Sequence, residues 1–265
     1  MSLAHAHHDG GAALPVALNV PGNVAGLSIH TPQTRFGLSS RLFRVTGHPL
    51  YGPLTGGDAT VLVNALYGMV GLGPRFAAEA LLPIISDFPA GAGHGHTGLA
   101  DVRLGLRAFV PMQTLGWSAA VETSVPTGSA EHGFGADAFV SRLSTRLAYD
   151  VVQERLRVFT EAGIAWAWDE SRGTMADVAL AAAWQTTRVA GLYVEARVLA
   201  AVEQGRDNLT EVGGRSRAAG DTSVVLTPAV TLALTPNLTL AAGPQFPLGF
   251  EDFAYGAIAS LTYRP

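Results

Sequence analysis

Two residue types are absent. The 265 residues contain no cysteine and no lysine, so all 17 basic side chains are arginine. Without cysteine there is no disulfide framework to hold the fold. Without lysine, the polar face of a sheet lacks the ammonium groups that commonly solvate soluble β-proteins. Charge of either sign is scarce: 14% of residues are charged, where about a quarter is usual in a soluble domain. Long apolar runs are missing as well. The hydrophobic share is 48%, yet no stretch of about 18 apolar residues occurs, which excludes a transmembrane helix. The longest apolar stretch, 77–85, is interrupted by Glu79 and Pro83. The net charge of −4 argues against a nucleic-acid partner.

What the chain does have is alternation. Twelve segments place apolar residues at every second position: 35–46, 58–70, 75–86, 97–110, 117–126, 138–150, 154–168, 173–186, 190–203, 221–234, 238–248 and 253–264. Period two is the signature of a strand with two unlike faces. In the fourth segment Ala100, Val102, Leu104, Leu106, Ala108 and Val110 share one face, and Asp101, Arg103, Gly105 and Arg107 share the other. The ninth sets Leu192, Val194, Ala196, Val198, Ala200 and Val202 against Tyr193, Glu195, Arg197 and Glu203. The polar faces are mostly Ser, Thr, Ala, Gly and charges of both signs. Small residues leave room inside a closed barrel, whereas a soluble sandwich would carry a densely charged outer face. Aromatics cluster near segment ends, at Trp117, Phe139, Tyr149, Trp166, Trp168, Phe246 and Tyr263, as interfacial girdles do.

The connections alternate in length. Those at 71–74, 111–116, 151–153, 187–189 and 235–237 are short, and those at 47–57, 87–96, 127–137 and 204–220 are long and rich in Gly, Asp or Arg. The expected fold is all-β: a transmembrane antiparallel up-and-down barrel of about twelve strands, with short periplasmic turns and longer extracellular loops. Residues 35–265 form the barrel. Residues 1–34, rich in His, Gly and Pro, form a periplasmic tail or a lumen plug, with Asn23–Gln33 the candidate plug. The compartment this implies is the outer membrane of a Gram-negative-type bacterium. Met1–Ala6 has neither the basic nor the apolar region of a signal peptide, so a signal is expected upstream. The expected partners are outer-membrane lipid, the barrel-assembly machinery and a small solute, and the expected state is a monomer.

The faces assigned to the lumen carry Arg41, Arg75, Arg103, Arg107, Arg142, Arg146, Arg157 and Arg197, with Glu79, Asp101, Glu122, Glu161, Asp177 and Glu195 among them. Such a balance of signs predicts cross-strand ion pairs. It serves either as a ladder that stiffens a closed barrel or as a basic stripe that guides carboxylates through a pore. His48, His94, His96 and His132 fall in the long loops at one mouth, where zinc or copper is the ion they would take. No other cofactor is expected. Ser129, Glu131 and His132 are the one local grouping of catalytic residue types, and no enzyme is expected. The functions that remain are a passive channel, a surface metal- or ligand-binding barrel, and a closed structural barrel.

The run Gly98-Leu99-Ala100-Asp101 with its alternating continuation to Arg107, the turn Val125-Pro126-Thr127-Gly128, and the late segments Thr227-Pro228-Ala229-Val230 and Gly243–Leu248 carry a resemblance. Over 36–264 the chain resembles the meta-pathway of phenol degradation transporter-like family. Ala100 replaces the middle glycine of the family's pattern, and Tyr263-Arg264-Pro265 stands where an aromatic terminus is usual. The resemblance implies an outer-membrane channel for small solutes, hydrophobic or aromatic compounds or their carboxylates among them.

Overall fold

The computed structural model describes residues 34–45, 59–89, 95–111, 115–128, 138–152, 155–168, 174–187, 189–202, 205–207, 215–217, 222–248 and 253–265. Among them there is no helix. The strands are β1 (Arg35–Val45), β2 (Ala59–Gly71), β3 (Phe76–Pro89), β4 (Thr97–Leu99), β5 (Val102–Pro111), β6 (Leu115–Val125), β7 (Val140–Val152) and β8 (Leu156–Ala167). They continue with β9 (Thr174–Gln185), β10 (Ala190–Ala201), β11 (Gly205–Asp207), β12 (Arg215–Arg217), β13 (Thr222–Thr235), β14 (Leu238–Leu248) and β15 (Phe253–Tyr263).

β4 and β5 are two halves of one stave, and β11 and β12 pair only with each other. The other strands pair antiparallel with their chain neighbours, and β1 closes on β15 through Phe36↔Tyr263 to Val45↔Phe253. The result is a closed antiparallel barrel of twelve staves. Closure leaves no open sheet edge, the condition for a sheet to sit in lipid.

Alternation sets the two faces. Leu66, Leu104, Leu106, Val121, Leu143, Val178, Leu180 and Val194 are exposed on the outside, while their strand neighbours Tyr67, Arg107, Glu122, Arg146, Ala179 and Glu195 are buried in the lumen. The charged residues are thus inside and a belt of large apolar ones is outside, the reverse of a soluble domain. Phe36, Phe76, Trp117, Tyr149, Trp184 and Tyr263 are exposed at the short-turn end, and Phe88, Phe139, Trp168, Phe246 and Tyr255 at the long-loop end. Trp117 Nε1 donates to Thr145 Oγ1 at 2.7 Å and Trp168 Nε1 to Ser141 Oγ at 2.9 Å. Each indole therefore has a polar anchor on an otherwise apolar surface.

The short turns are built by their residues. Gly73, between β2 and β3, has φ +128°, a backbone angle that a side chain would strain. Across that turn Leu72 N–H donates to Phe76 O at 2.8 Å.

The fourth stave departs from the expected unbroken strand 97–110. Its pairing with β3 shifts by one residue between Leu81↔Arg103 and Ile84↔Leu99, so Ala100 and Asp101 form a bulge opposite Pro83. Ala100 N–H donates to Pro83 O at 2.9 Å, but proline has no N–H to return the bond. The Thr127 hydroxyl supplies it, donating to Ala100 O at 2.9 Å and accepting from Val102 N–H at 3.0 Å, while Gly128 N–H donates to Asp101 Oδ1 at 3.0 Å. Ala100, expected on the outer face, is buried in this bulge. The two motifs at 98–107 and 125–128 are therefore one interlocked structure. A further difference is the hairpin of β11 and β12 inside the expected loop 204–220. Apart from Thr34, the N-terminal segment and its candidate plug lie outside the described residues.

Candidate functional site

The candidate site is the lumen, which changes character along its axis. Toward the short turns it is narrowed by apolar and aromatic side chains. Tyr67, Met69, Leu81 and Phe109 pack with Ile258 on one side, and Phe159 and Tyr193 pack against Ala148, Ala181 and Ala183 on the other. The alanines of β9 matter here. Ala179, Ala181 and Ala183 are the small inward residues across which the long side chains of β8 and β10 can lie.

Midway along the strands is an ionic layer that crosses seven neighbouring staves, from β3 to β10. Arg107 Nε donates to Glu79 Oε1 at 2.6 Å, and its Nη2 lies 4.0 Å from Glu122 Oε1. Arg142 reaches three carboxylates: Glu122 Oε2 at 3.3 Å, Glu161 Oε1 at 2.6 Å and Asp177 Oδ1 at 3.0 Å. Arg146 Nε donates to Glu161 Oε2. Arg197 donates to Asp177 Oδ2 at 2.5 Å and to Glu195 Oε1 at 3.4 Å, and Tyr193 donates its hydroxyl to Glu195 Oε2. Glu161 thus joins Arg142, Arg146 and, at 3.6 Å, Arg197. All of these side chains but the half-buried Arg142 are buried, and a buried charge left alone is costly, so the alternating signs are what lets the layer form. Removing one partner of such a pair typically costs about 3–5 kcal/mol.

A glycine makes room for this layer. A Cβ at Gly163 would overlap the Arg142 guanidinium, 2.8 Å from Cζ, and come within 2.8 Å of Asp177 Oδ1. Arg142 therefore crosses β8 at the one residue there that leaves space for it. Gly105 has a milder role, with a Cβ meeting Glu122 Cγ at 3.1 Å.

On the long-loop side of the layer is a small cavity that opens toward the mouth. Its charged floor is Arg103, Glu122, Arg142 and Asp177, and its apolar wall includes Val140, Ala165, Met175 and Leu199. The opposite wall of the lumen has a different polarity. There Ser39, Thr227, Thr231, Thr239, Ser260 and Thr262 are buried, and Gln245 Nε2 donates to Thr227 Oγ1 at 3.2 Å.

The structure sorts the residues singled out in the sequence. Glu79, Arg107, Glu122, Arg142, Arg146, Glu161, Asp177, Glu195 and Arg197 meet in the ionic layer, and Arg103 lines the cavity beside it. Arg41 is buried on β1, across the lumen, together with Arg35, which the sequence reading did not select. Asp101 sits in the bulge. Arg157 pairs with Asp150 near the short turns, Nη2 to Oδ2 at 2.9 Å, apart from the layer. Arg75 is exposed in the β2–β3 turn and stands outside it too, because the strand begins only at Phe76. Of the four loop histidines, His48, His94 and His132 lie outside the described residues. His96 is half-exposed, with Nδ1 at 3.6 Å from Asp87 Oδ2. Among the described residues no group of three or more His, Cys, Asp or Glu side chains is placed to hold a metal ion. Val140, Met175 and Leu199 were missed as lumen residues, although strand parity alone turns them inward.

No family model and no curated protein matches the sequence. Solved structures do match in fold. A COG4313 outer membrane channel from Pseudomonas putida F1 superposes with a TM-score of 0.68 at 14% identity, covering 92% of this chain and 98% of that one. The NanC porin gives a TM-score of 0.55 at 10% identity over 86% of this chain and 98% of that one. A CymD monoaromatic hydrocarbon channel gives 0.51 at 7% identity, covering 88% of each. At these identities the shared property is architecture: the chain has the closed all-antiparallel barrel found in outer-membrane channels and porins.

Proposed function

We propose that the protein is an outer-membrane channel of a Gram-negative-type bacterium that lets small solutes pass by diffusion. The observation that carries this is the inverted polarity of the barrel. Its exterior is apolar between two aromatic girdles, which suits a bilayer. Its interior carries a buried ionic layer across seven staves, which a barrel held together by outer packing alone would not need. Barrels named as channels and porins are among the neighbouring solved structures and support the same reading. No catalytic role and no resident cofactor enters it.

The finer part of the proposal concerns family and solute. The interlocked motifs at 98–107 and 125–128 favour membership of the meta-pathway of phenol degradation transporter-like family. The solutes proposed are small hydrophobic or aromatic compounds or their carboxylates. The lumen charges, Arg41, Arg103, Arg107, Glu122, Arg142 and Arg197 among them, are proposed to line the path and select the solute. The protein is proposed to act as a monomer.

A closed structural barrel is the second reading, favoured by how completely the ionic layer is buried. Solute-driven swelling of vesicles holding the refolded protein separates the two. Swelling in small solutes that falls off with solute size is expected of the channel. Vesicles no more permeable than protein-free ones would leave the structural reading.

A further inference from the structure

The cavity beside the ionic layer has two unlike surfaces. Val140, Met175 and Leu199 pack together as an inward-facing apolar cluster with Ala165 against it. These side chains take no part in the ion pairs. Facing them are two arginines and two acids, and they are not equally presented. The Arg142 side chain keeps 13% of its surface exposed, while those of Glu122 and Asp177 keep 8% each. Arg103 is likewise half-buried rather than buried. Glu122 and Asp177 turn into the layer to meet Arg142, and the guanidiniums of Arg103 and Arg142 line the cavity beside them.

We propose that this cavity is a recognition site for a small amphipathic carboxylate, its apolar body against Val140, Met175 and Leu199 and its carboxylate toward Arg103 and Arg142. The inference rests on the channel reading and names the solute class for it. The pairing of surfaces is what such a ligand needs: an apolar wall for affinity and a few placed polar groups for orientation. Guanidinium groups suit the head group, since their N–H donors match a carboxylate in shape and charge. Glu122 and Asp177 set the limit on charge. A dianion would meet them at close range, so a single carboxylate is the expected head group.

The test uses the full refolded chain in planar bilayers, with benzoate, cyclohexanecarboxylate, acetate and benzylammonium as probes. Benzoate and cyclohexanecarboxylate are expected to reduce single-channel current at concentrations at least tenfold below acetate, and benzylammonium is expected to have no such effect. Val140→Thr and Leu199→Asn, which alter the apolar wall and leave the ion pairs in place, are expected to erase the preference over acetate. Equal effects of benzoate and acetate on an otherwise conducting protein would overturn the site and leave the channel standing. So would equal effects of benzoate and benzylammonium. If no current flows, the channel reading fails and the same probes are read by thermal unfolding of the refolded barrel. Stabilisation by benzoate but not acetate, lost in Leu199→Asn, then upholds the site, and no stabilisation overturns it.

Discussion

Gly163→Ala probes the ionic layer with one methyl group. The added Cβ would overlap the Arg142 guanidinium and stand 2.8 Å from Asp177 Oδ1, well inside an ordinary contact. The guanidinium is the free end of a long side chain, so it is the part that yields. Moving it stretches the bonds to Glu161 at 2.6 Å and to Asp177 at 3.0 Å. A hydrogen bond to a charged group is worth about 1.5–3 kcal/mol, and two weakened ones lose roughly 2–4 kcal/mol. The swap also removes backbone freedom from the unfolded chain, which returns about 0.5–1 kcal/mol. The net loss is about 1–3 kcal/mol, readable as a lower urea midpoint for the barrel in lipid vesicles. Gly68→Ala is the control. There the Cβ meets only Phe36, at 3.6 Å, an ordinary contact, so stability should hold or rise. Gly105→Ala, with contacts of 3.1 and 3.2 Å, should fall between the two. Equal midpoints for Gly163→Ala and Gly68→Ala would refute the idea that this glycine exists to let Arg142 cross β8.

Three further outcomes follow from the same geometry. Glu161→Gln leaves Arg142, Arg146 and Arg197 without their shared carboxylate; a loss of about 3–5 kcal/mol is expected in the same urea titration. Thr127→Val removes the hydroxyl that bonds both Ala100 and Val102, and should cost about 1–2 kcal/mol while amide exchange at Val102 accelerates. Val121→Arg puts a charge on the outer face of β6, near the strand's middle; a loss of about 2–4 kcal/mol in vesicles is expected, against little change for the same residue placed in a loop.

The staves were legible because period two writes both faces of a strand into the sequence. Segment after segment, from Leu104 and Leu106 outside to Arg107 inside, the parity held in the barrel. The short turns were legible from their glycines, prolines and asparagines. Pairing partners were not. That Arg146 meets Glu161 depends on cross-strand register and side-chain reach, which parity does not encode. The bulge at Ala100 and Asp101 was hidden for a similar reason. One extra residue changes no composition, and its cause, Pro83, lies on the neighbouring strand. Arg75 was placed a residue too far into β3 because the Gly73-Pro74 turn extends through it. The apolar cavity wall was overlooked because lumen residues were sought among charged side chains, while Val140, Met175 and Leu199 are apolar and turn inward by their position in the strand.

Single-channel recording of the full chain, refolded and inserted in a planar bilayer, tests the central claim most directly. Discrete, reproducible current steps are expected, altered in ion selectivity when Arg103 is changed to Gln. A barrel that inserts, runs as a compact heat-modifiable band on gels and yet passes no current under any applied voltage would contradict the channel.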